Sequence, residues 1–333
     1  VSPSPPRSSR ARRLVGLIGA VAATAALASC GQVDESGVGV RVLVTTDSGA
    51  RTLLDRRGIE AKDEEPALAV LRRATTVETD ARGGLTSLDG RRATGGRTWT
   101  TWLNGAPLRS GALKATGEDV NLQQLPVVNG PRTTKVHDGD TLWVDLQPAG
   151  ATPPRGVVGT FPEPFEHGQE GMRWPVRVEC ADPRGRACRM VRDALVRYDI
   201  PAVTNLIRSS YNPESARVAV GTWKQIREDP SAGLAERGAK ESGIPVVPQA
   251  DGRGFALLDA AGRETRTIGA GSGLVFASRY RNEPPSWAVT GTDDAGVLRA
   301  AGAFDATTLK TSIALAVSGA DLIRLPDRGD ATR

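Results

Sequence analysis

Thr98-Trp99-Thr100-Thr101-Trp102-Leu103 runs into Asn104-Gly105, and the reading of this stretch decides the first half of the chain. Threonine and tryptophan suit a pleated, half-buried strand, and Asn-Gly tolerates the positive φ of a tight hairpin turn. Upstream, Val38, Val40, Val42 and Val44 alternate with Gly39, Arg41 and Leu43, which predicts a strand with one apolar face. Downstream, Asp138-Gly139-Asp140 is a turn signal that feeds Thr141-Leu142-Trp143-Val144-Asp145-Leu146, another strand. Between them, Ala67, Leu68, Val70 and Leu71 form the apolar stripe of a helix over 66–74, with Pro66 in its first turn. Short strands are expected at 77–79 and 85–88, with Asp89-Gly90 as a turn.

Four of these features together resemble a known family: the opening valine strand, the helix around Leu68, the Trp102-Leu103-Asn104-Gly105 turn, and the Asp138-Gly139-Asp140 turn into a tryptophan strand. Residues 38–147 are similar to the beta-grasp domain of unknown function that also forms the C-terminal part of the cobalamin carriers transcobalamin and intrinsic factor. The resemblance implies a sheet curled round one helix, serving as a small binding or interaction module without catalysis. It is not extended to cobalamin, because the carriers hold that ligand with a second, helical domain and no long helical array lies upstream here.

Trp99 and Trp102 are three residues apart, so a regular strand turns them to opposite sides. Either one fills the core while the other meets solvent or a partner, or both simply pack. Trp99, Trp102 and Asn104 are the candidate ligand contacts of this unit. His137 and Asp138 form an acid–base pair on paper, but adjacent residues at a strand entrance point apart and no activated nucleophile lies nearby; no catalytic residue is assigned.

Residues 148–171 read as a linker. Pro148, Pro153, Pro154, Pro162 and Pro164, spaced by glycines, resist a helix or a central strand. Val157, Val158 and Phe161 are apolar residues able to dock on either domain, and His167 reads as a solvated linker histidine.

A second unit spans 172–325. Its pattern predicts an edge strand at 174–178, a helix at 188–198, a buried strand at 217–223, a helix at 224–238 broken near Asp229-Pro230, and a hairpin about Ala260-Ala261-Gly262. Gly269-Ala270-Gly271-Ser272-Gly273 lacks the lysine of a P-loop; it is either a close backbone approach or an anion-binding nest. Strand 285–290, the loop Gly291-Thr292-Asp293-Asp294, a helix at 295–304 and a strand at 313–317 form a βαβ crossover, with Thr292 as the helix cap. A strand end and a helix start converge at Thr290, Thr292 and Asp293, the candidate ligand contacts of this unit, with Arg279 and Arg281 as secondary candidates for an acidic ligand. Residues 326–333 read as a polar tail.

At the other end, Arg7, Arg10, Arg12 and Arg13 precede an apolar run over 14–27, which closes on Leu27-Ala28-Ser29-Cys30. A basic end, a short apolar segment and small residues form the order of an export signal. The last four residues resemble the lipobox of bacterial lipoprotein signal peptides. The resemblance implies cleavage after residue 29, acylation of Cys30, a lipidated tether over 30–37, and a place on the extracytoplasmic face of the cell membrane; an ordinary secretory signal that leaves a cysteine is the other reading. With Cys30 lipidated, Cys180 and Cys188 remain of three cysteines, and an oxidising compartment pairs them across Asp182-Pro183-Arg184-Gly185, against two free thiols.

The net charge is +5, and five less the four signal arginines leaves +1. Both signs are mixed without a basic block, so nucleic acid is excluded as a partner. Two histidines far apart in sequence offer no zinc set, and no Gly-x-Ser-x-Gly elbow or His-Glu-x-x-His helix is present. No cofactor or metal is expected. The sequence therefore predicts an α+β protein, an N-terminal beta-grasp-like domain followed by a mixed α/β sandwich domain. Its expected role is a membrane-anchored binding module for a small molecule, glycan or envelope protein, with an assembly component and an envelope polymer-modifying enzyme as alternatives.

Overall fold

β1 (Val40–Thr46) carries the valines that the alternation marks, and both of its faces are out of water. Val40, Val42 and Val44 enter one core, whereas Leu43 enters another with Trp102, Trp143, Val157 and Ile313. The single apolar face expected for this strand is thus half of what it buries. The computed structural model describes residues 39–62, 64–81, 83–108, 130–169, 171–209, 214–280 and 284–329, so Cys30, its signal and its tether lie outside the described residues, as does Arg281.

The N-terminal region continues with β2 (Arg51–Ile59), β3 (Glu65–Pro66), α1 (Ala67–Ala74), β4 (Val77–Thr79), β5 (Leu85–Leu88), β6 (Arg91–Arg92), β7 (Thr98–Leu103), β8 (Ala106–Leu108), β9 (Lys135–Val136) and β10 (Thr141–Gln147). Its main sheet has the order β2-β1-β10-β7-β8, in which β1 and β10 are parallel and the other pairs antiparallel. Asn104-Gly105 makes the β7–β8 hairpin with φ of +48° and +82°. Ala67, Leu68, Val70, Leu71 and Ala74 bury the inner side of α1, and its residues Ala67, Val70, Leu71 and Ala74 share the core of Val40, Val42 and Val44.

The C-terminal region comprises β11 (Val176–Cys180), α2 (Arg186–Val196), β12 (Ala202–Leu206), β13 (Ala216–Thr222), α3 (Trp223–Ile226), a 3-10 helix (Ala232–Arg237), α4 (Ala239–Ser242), β14 (Val246–Pro248), β15 (Phe255–Leu258), β16 (Glu264–Ile268), β17 (Gly273–Ser278), β18 (Ser286–Gly291), α5 (Asp294–Gly302), α6 (Ala306–Leu309), β19 (Ala314–Ser318) and β20 (Asp321–Leu325). Seven strands form one sheet in the order β12-β11-β13-β18-β17-β19-β20. Alternate residues of that sheet supply two cores. Val178, Val218, Val275 and Val289 face α2 and α5, whereas Ala219, Leu274, Phe276 and Ala288 face Trp223, Leu234 and the small β14-β15-β16 sheet. The architecture is α+β, a sheet-rich N-terminal region followed by a mixed α/β region. The Cys180–Cys188 disulfide ties the end of β11 to α2, with the Cα atoms 5.9 Å apart.

Glycine sets the distance between α5 and its sheet. A Cβ on Gly296 would lie 2.1 Å from Ser272 O, and one on Gly291 2.3 Å from Val297 N. The crossover expected here is present, with β17 lying between β18 and β19. The cap is Asp293, whose carboxylate accepts from Gly296 N at 2.9 Å, and not Thr292 as the spacing suggests.

Residues 148–171 are not a free connection. Val157, Val158, Phe161 and Phe165 are buried. Val157 N donates to Gly105 O at 3.1 Å and Val158 N to Ile313 O at 3.3 Å, so the segment bonds to both regions. Phe161 packs edge-on against Phe304 at 4.8 Å and Tyr198 at 5.3 Å. Proline and glycine keep this stretch out of regular structure, and its apolar residues still enter the core.

Candidate functional site

The residues nominated in the first region lie in or against the core. Trp102 is fully buried, lies 5.2 Å from the Trp143 ring and donates its Nε1–H to Pro154 O at 3.3 Å. Trp99 is half-buried against the α1 core. Asn104 is also fully buried: Nδ2 donates to Asp140 Oδ1 at 2.6 Å and Gly168 O at 2.7 Å, and Oδ1 accepts from Thr141 N at 2.7 Å. Its bonding capacity is nearly spent.

The second nominated group does come together, and closes on itself. Asp293 Oδ2 accepts from Gly271 N at 2.7 Å, and Thr292 Oγ1 accepts from Ser272 N at 3.2 Å. Arg299 Nη1 donates to Gly271 O at 2.5 Å. The Gly271 and Ser272 amides of the glycine loop are thus spent on Asp293 and Thr292. Thr290 is fully buried in β18, its hydroxyl without a hydrogen-bond partner.

A cluster that sequence spacing conceals surrounds Asn104. Asp140 and Glu163 are buried carboxylates, and each is paired with one of the two histidines. His137 N donates to Asp140 Oδ2 at 2.8 Å, with its Nδ1 3.9 Å from the same oxygen. His167 N donates to Glu163 Oε2 at 3.1 Å, while its Nδ1 bonds Glu163 Oε1. A Cβ on Gly139 would lie 2.2 Å from His167 Nε2. His167 is therefore a half-buried partner and not a solvated linker residue. Burial pushes the Glu163 carboxyl up to about 7 against the pull of His167, and the hydrogen bond to Glu163 raises His167. Burial likewise raises Asp140. Glu166 approaches Glu163 and His167 closely enough for one ligand atom from each to surround a cation. Each oxygen of Glu163 already takes one hydrogen bond from His167.

An open cleft lies elsewhere among the described residues, at the meeting of four connecting segments. Asp47 and Ser48 of the β1–β2 turn, Pro148 and Ala149 after β10, the Asp259–Arg263 hairpin turn, and Pro326, Asp327 and Arg328 after β20 line a cleft of about 260 Å³. Asp145 fixes the first wall from behind: fully buried, it accepts from Thr45 Oγ1 at 2.5 Å, Ser48 N at 3.0 Å, Gly49 N at 2.9 Å and Gln147 Nε2 at 2.6 Å. Asp259 fixes the second, accepting from Ala261 N and Arg263 N at 2.9 Å each. Asp327 fixes the third; it is buried and accepts from Thr265 Oγ1 at 2.6 Å and Arg266 Nε at 2.9 Å. The expected polar tail thus begins with two buried residues, Pro326 and Asp327. Burial lowers the Arg328 pKa, with Asp47 and Asp145 acting against it. Of the four segments the sequence marks the Ala260-Ala261-Gly262 hairpin as a turn; the convergence with the others comes from the tertiary fold.

Among the described residues no helix is long and apolar enough to cross a membrane. Compared with known proteins, the chain matches no family model. No curated protein is significantly similar to it.

Proposed function

We propose that this chain is a lipid-anchored, extracytoplasmic binding module that takes a small ligand at the four-segment cleft without a covalent step. The observation that carries the reading is the cleft itself: about 260 Å³, built from segments of both regions, three of its four walls held by a buried or bonded aspartate. The anchor follows from the resemblance of Leu27-Ala28-Ser29-Cys30 to a lipobox. The N-terminal region is read as a beta-grasp unit, supported by its parallel β1–β10 pair and the α1 helix packed on the same core.

Native mass spectrometry of the full chain, extracted from membranes in mild detergent, tests this. The expected result is a reproducible small adduct that disappears on unfolding, on a polypeptide heavier than its sequence by acyl groups. A bare polypeptide in every preparation overturns the carrier reading, and a Cys30→Ser variant that stays with the membrane overturns the anchor.

One observation favours assembly as a second reading. β12 is a sheet edge, and Val203 and Leu206, on its two opposite faces, are 63% and 53% exposed. An unprotected apolar edge invites a further strand. A protein partner that leaves at fixed stoichiometry when Val203 is changed to Lys would move the conclusion to assembly.

A further inference from the structure

Each carboxylate that lines the cleft is paired with an arginine. Asp47 is paired with Arg97 at 2.7 Å, Asp259 with Arg263 at 2.8 Å, and Asp327 with Arg266 at 2.8 Å. Arg328 also lines the cleft, and among the described residues it has no carboxylate at ion-pair distance; its Nη2 donates to the Asp47 carbonyl at 3.3 Å. A guanidinium presents five N–H donors in a planar fork that fits both oxygens of a carboxylate. One backbone acceptor leaves most of that fork uncommitted.

The remaining walls narrow the choice of ligand. Pro148, Ala149, Ala260, Ala261 and Pro326 offer methyls and rings, and the Ser48 hydroxyl is spent on Gln147 Oε1 at 3.1 Å. At about 260 Å³ the cleft lies below the roughly 300–1,000 Å³ of drug-sized ligand sites, so its ligand is compact. A dianion at Arg328 would be repelled by the nearby carboxylates of Asp47, Asp259 and Asp327, which penalises it relative to a monoanion.

We infer that the cleft binds a compact organic monoanion, its carboxylate forked by Arg328 and its apolar body against Ala149, Ala260 and Ala261. The inference rests on the reading of the cleft as the recognition site.

The three alanines supply the readout. The full chain in detergent, labelled with ¹³C at its alanine methyls, is titrated with isobutyrate, with isobutyramide as the neutral isostere, and with inorganic phosphate. Isobutyrate is expected to shift the methyls of Ala149, Ala260 and Ala261 saturably. Isobutyramide is expected to bind at least tenfold more weakly, as is isobutyrate to R328Q, in line with a charge-assisted hydrogen bond of about 1.5–3 kcal/mol. R328K, which keeps the charge and loses the fork, should fall between. Methyl spectra of the free variants that overlay the parent confirm that the fold is intact. Equal binding of acid and amide, or of parent and R328Q, overturns the anion inference while the cleft reading stands. Tighter binding of phosphate than of isobutyrate overturns the monoanion. No saturable shift at these methyls with any probe removes the cleft reading and the inference with it.

Discussion

Asn104 Nδ2 donates to Asp140 Oδ1 at 2.6 Å, and neither residue is more than 2% exposed. The same amide holds Gly168 O, so a single side chain fastens the β7–β8 turn to the β9–β10 turn and to the 148–171 segment. Asn104→Gly should lose about 3 kcal/mol, because each buried group left unsatisfied costs about 1–3 kcal/mol. Asn104→Ala should lose about 1 kcal/mol more, since φ of +48° suits glycine and strains alanine. Urea unfolding of both variants gives the comparison, and equal losses would mean that the turn carries no strain.

Stability should fall as pH rises through neutrality. Glu163, raised to about 7, and His167, also raised, hold protons in the folded state that the unfolded chain releases. The Glu163 contribution is full below the ordinary glutamate value near 4.5 and is lost as pH climbs through about 7; that of His167 is full below the ordinary histidine value of 6.5 and is lost as pH passes its raised value. The Glu163 contribution is of order 3 kcal/mol at most. Urea midpoints between pH 5 and 8 should decline in the parent and flatten in Glu163→Gln. An unchanged slope in the variant would place the proton linkage elsewhere.

Two glycines of α5 should respond oppositely to alanine. A Cβ on Gly296 would strike Ser272 O at 2.1 Å and Gly291 Cα at 3.2 Å, backbone atoms that cannot turn aside. Gly296→Ala should therefore cost about 3 kcal/mol. Gly302→Ala meets Met190 Cε at an ordinary 3.7 Å and should gain about 0.5 kcal/mol from helix propensity. Thermal melts of the pair test how closely the helix rests on its sheet.

Cys180 and Cys188 are each 1% exposed and are separated by eight residues. Closing a loop of that length stabilises by about 2–3 kcal/mol, the expected loss in the Cys180→Ser, Cys188→Ser double variant. Burial should also keep the bond from reductant until the chain unfolds. Thiol titration with dithiothreitol, with and without urea, measures this; rapid native reduction would show that β11 and α2 part locally.

Strands with regular alternation and the Asn104-Gly105 hairpin were legible because local periodicity and turn chemistry suffice for them. β2 was not: Arg51, Asp55, Arg56 and Arg57 hide a strand that lies at the sheet edge with charged side chains in water. Residues 148–171 were read as a linker because proline and glycine report local stiffness, whereas Phe161 and Phe165 owe their burial to Trp287 and Phe304, more than a hundred residues away. The site suffered more. His137 and His167 meet around buried carboxylates only through tertiary folding, and Arg328 gains a role only because β20 returns the chain to Asp47. Trp102 was nominated by its size, the property that also fits it to a core.

The parallel pairing of β1 with β10 has a mechanical consequence. The chain enters the described body at the start of β1, which is bonded along its length to β10 on one side and β2 on the other. A pull on the preceding chain loads β1 along its own axis, so the ladder bonds from Arg41 to Thr46 share the force in shear and do not open one at a time. A body tethered from this end would resist being stripped from its sheet under drag, and force spectroscopy from the N-terminal side should register a higher rupture force than a pull across β8.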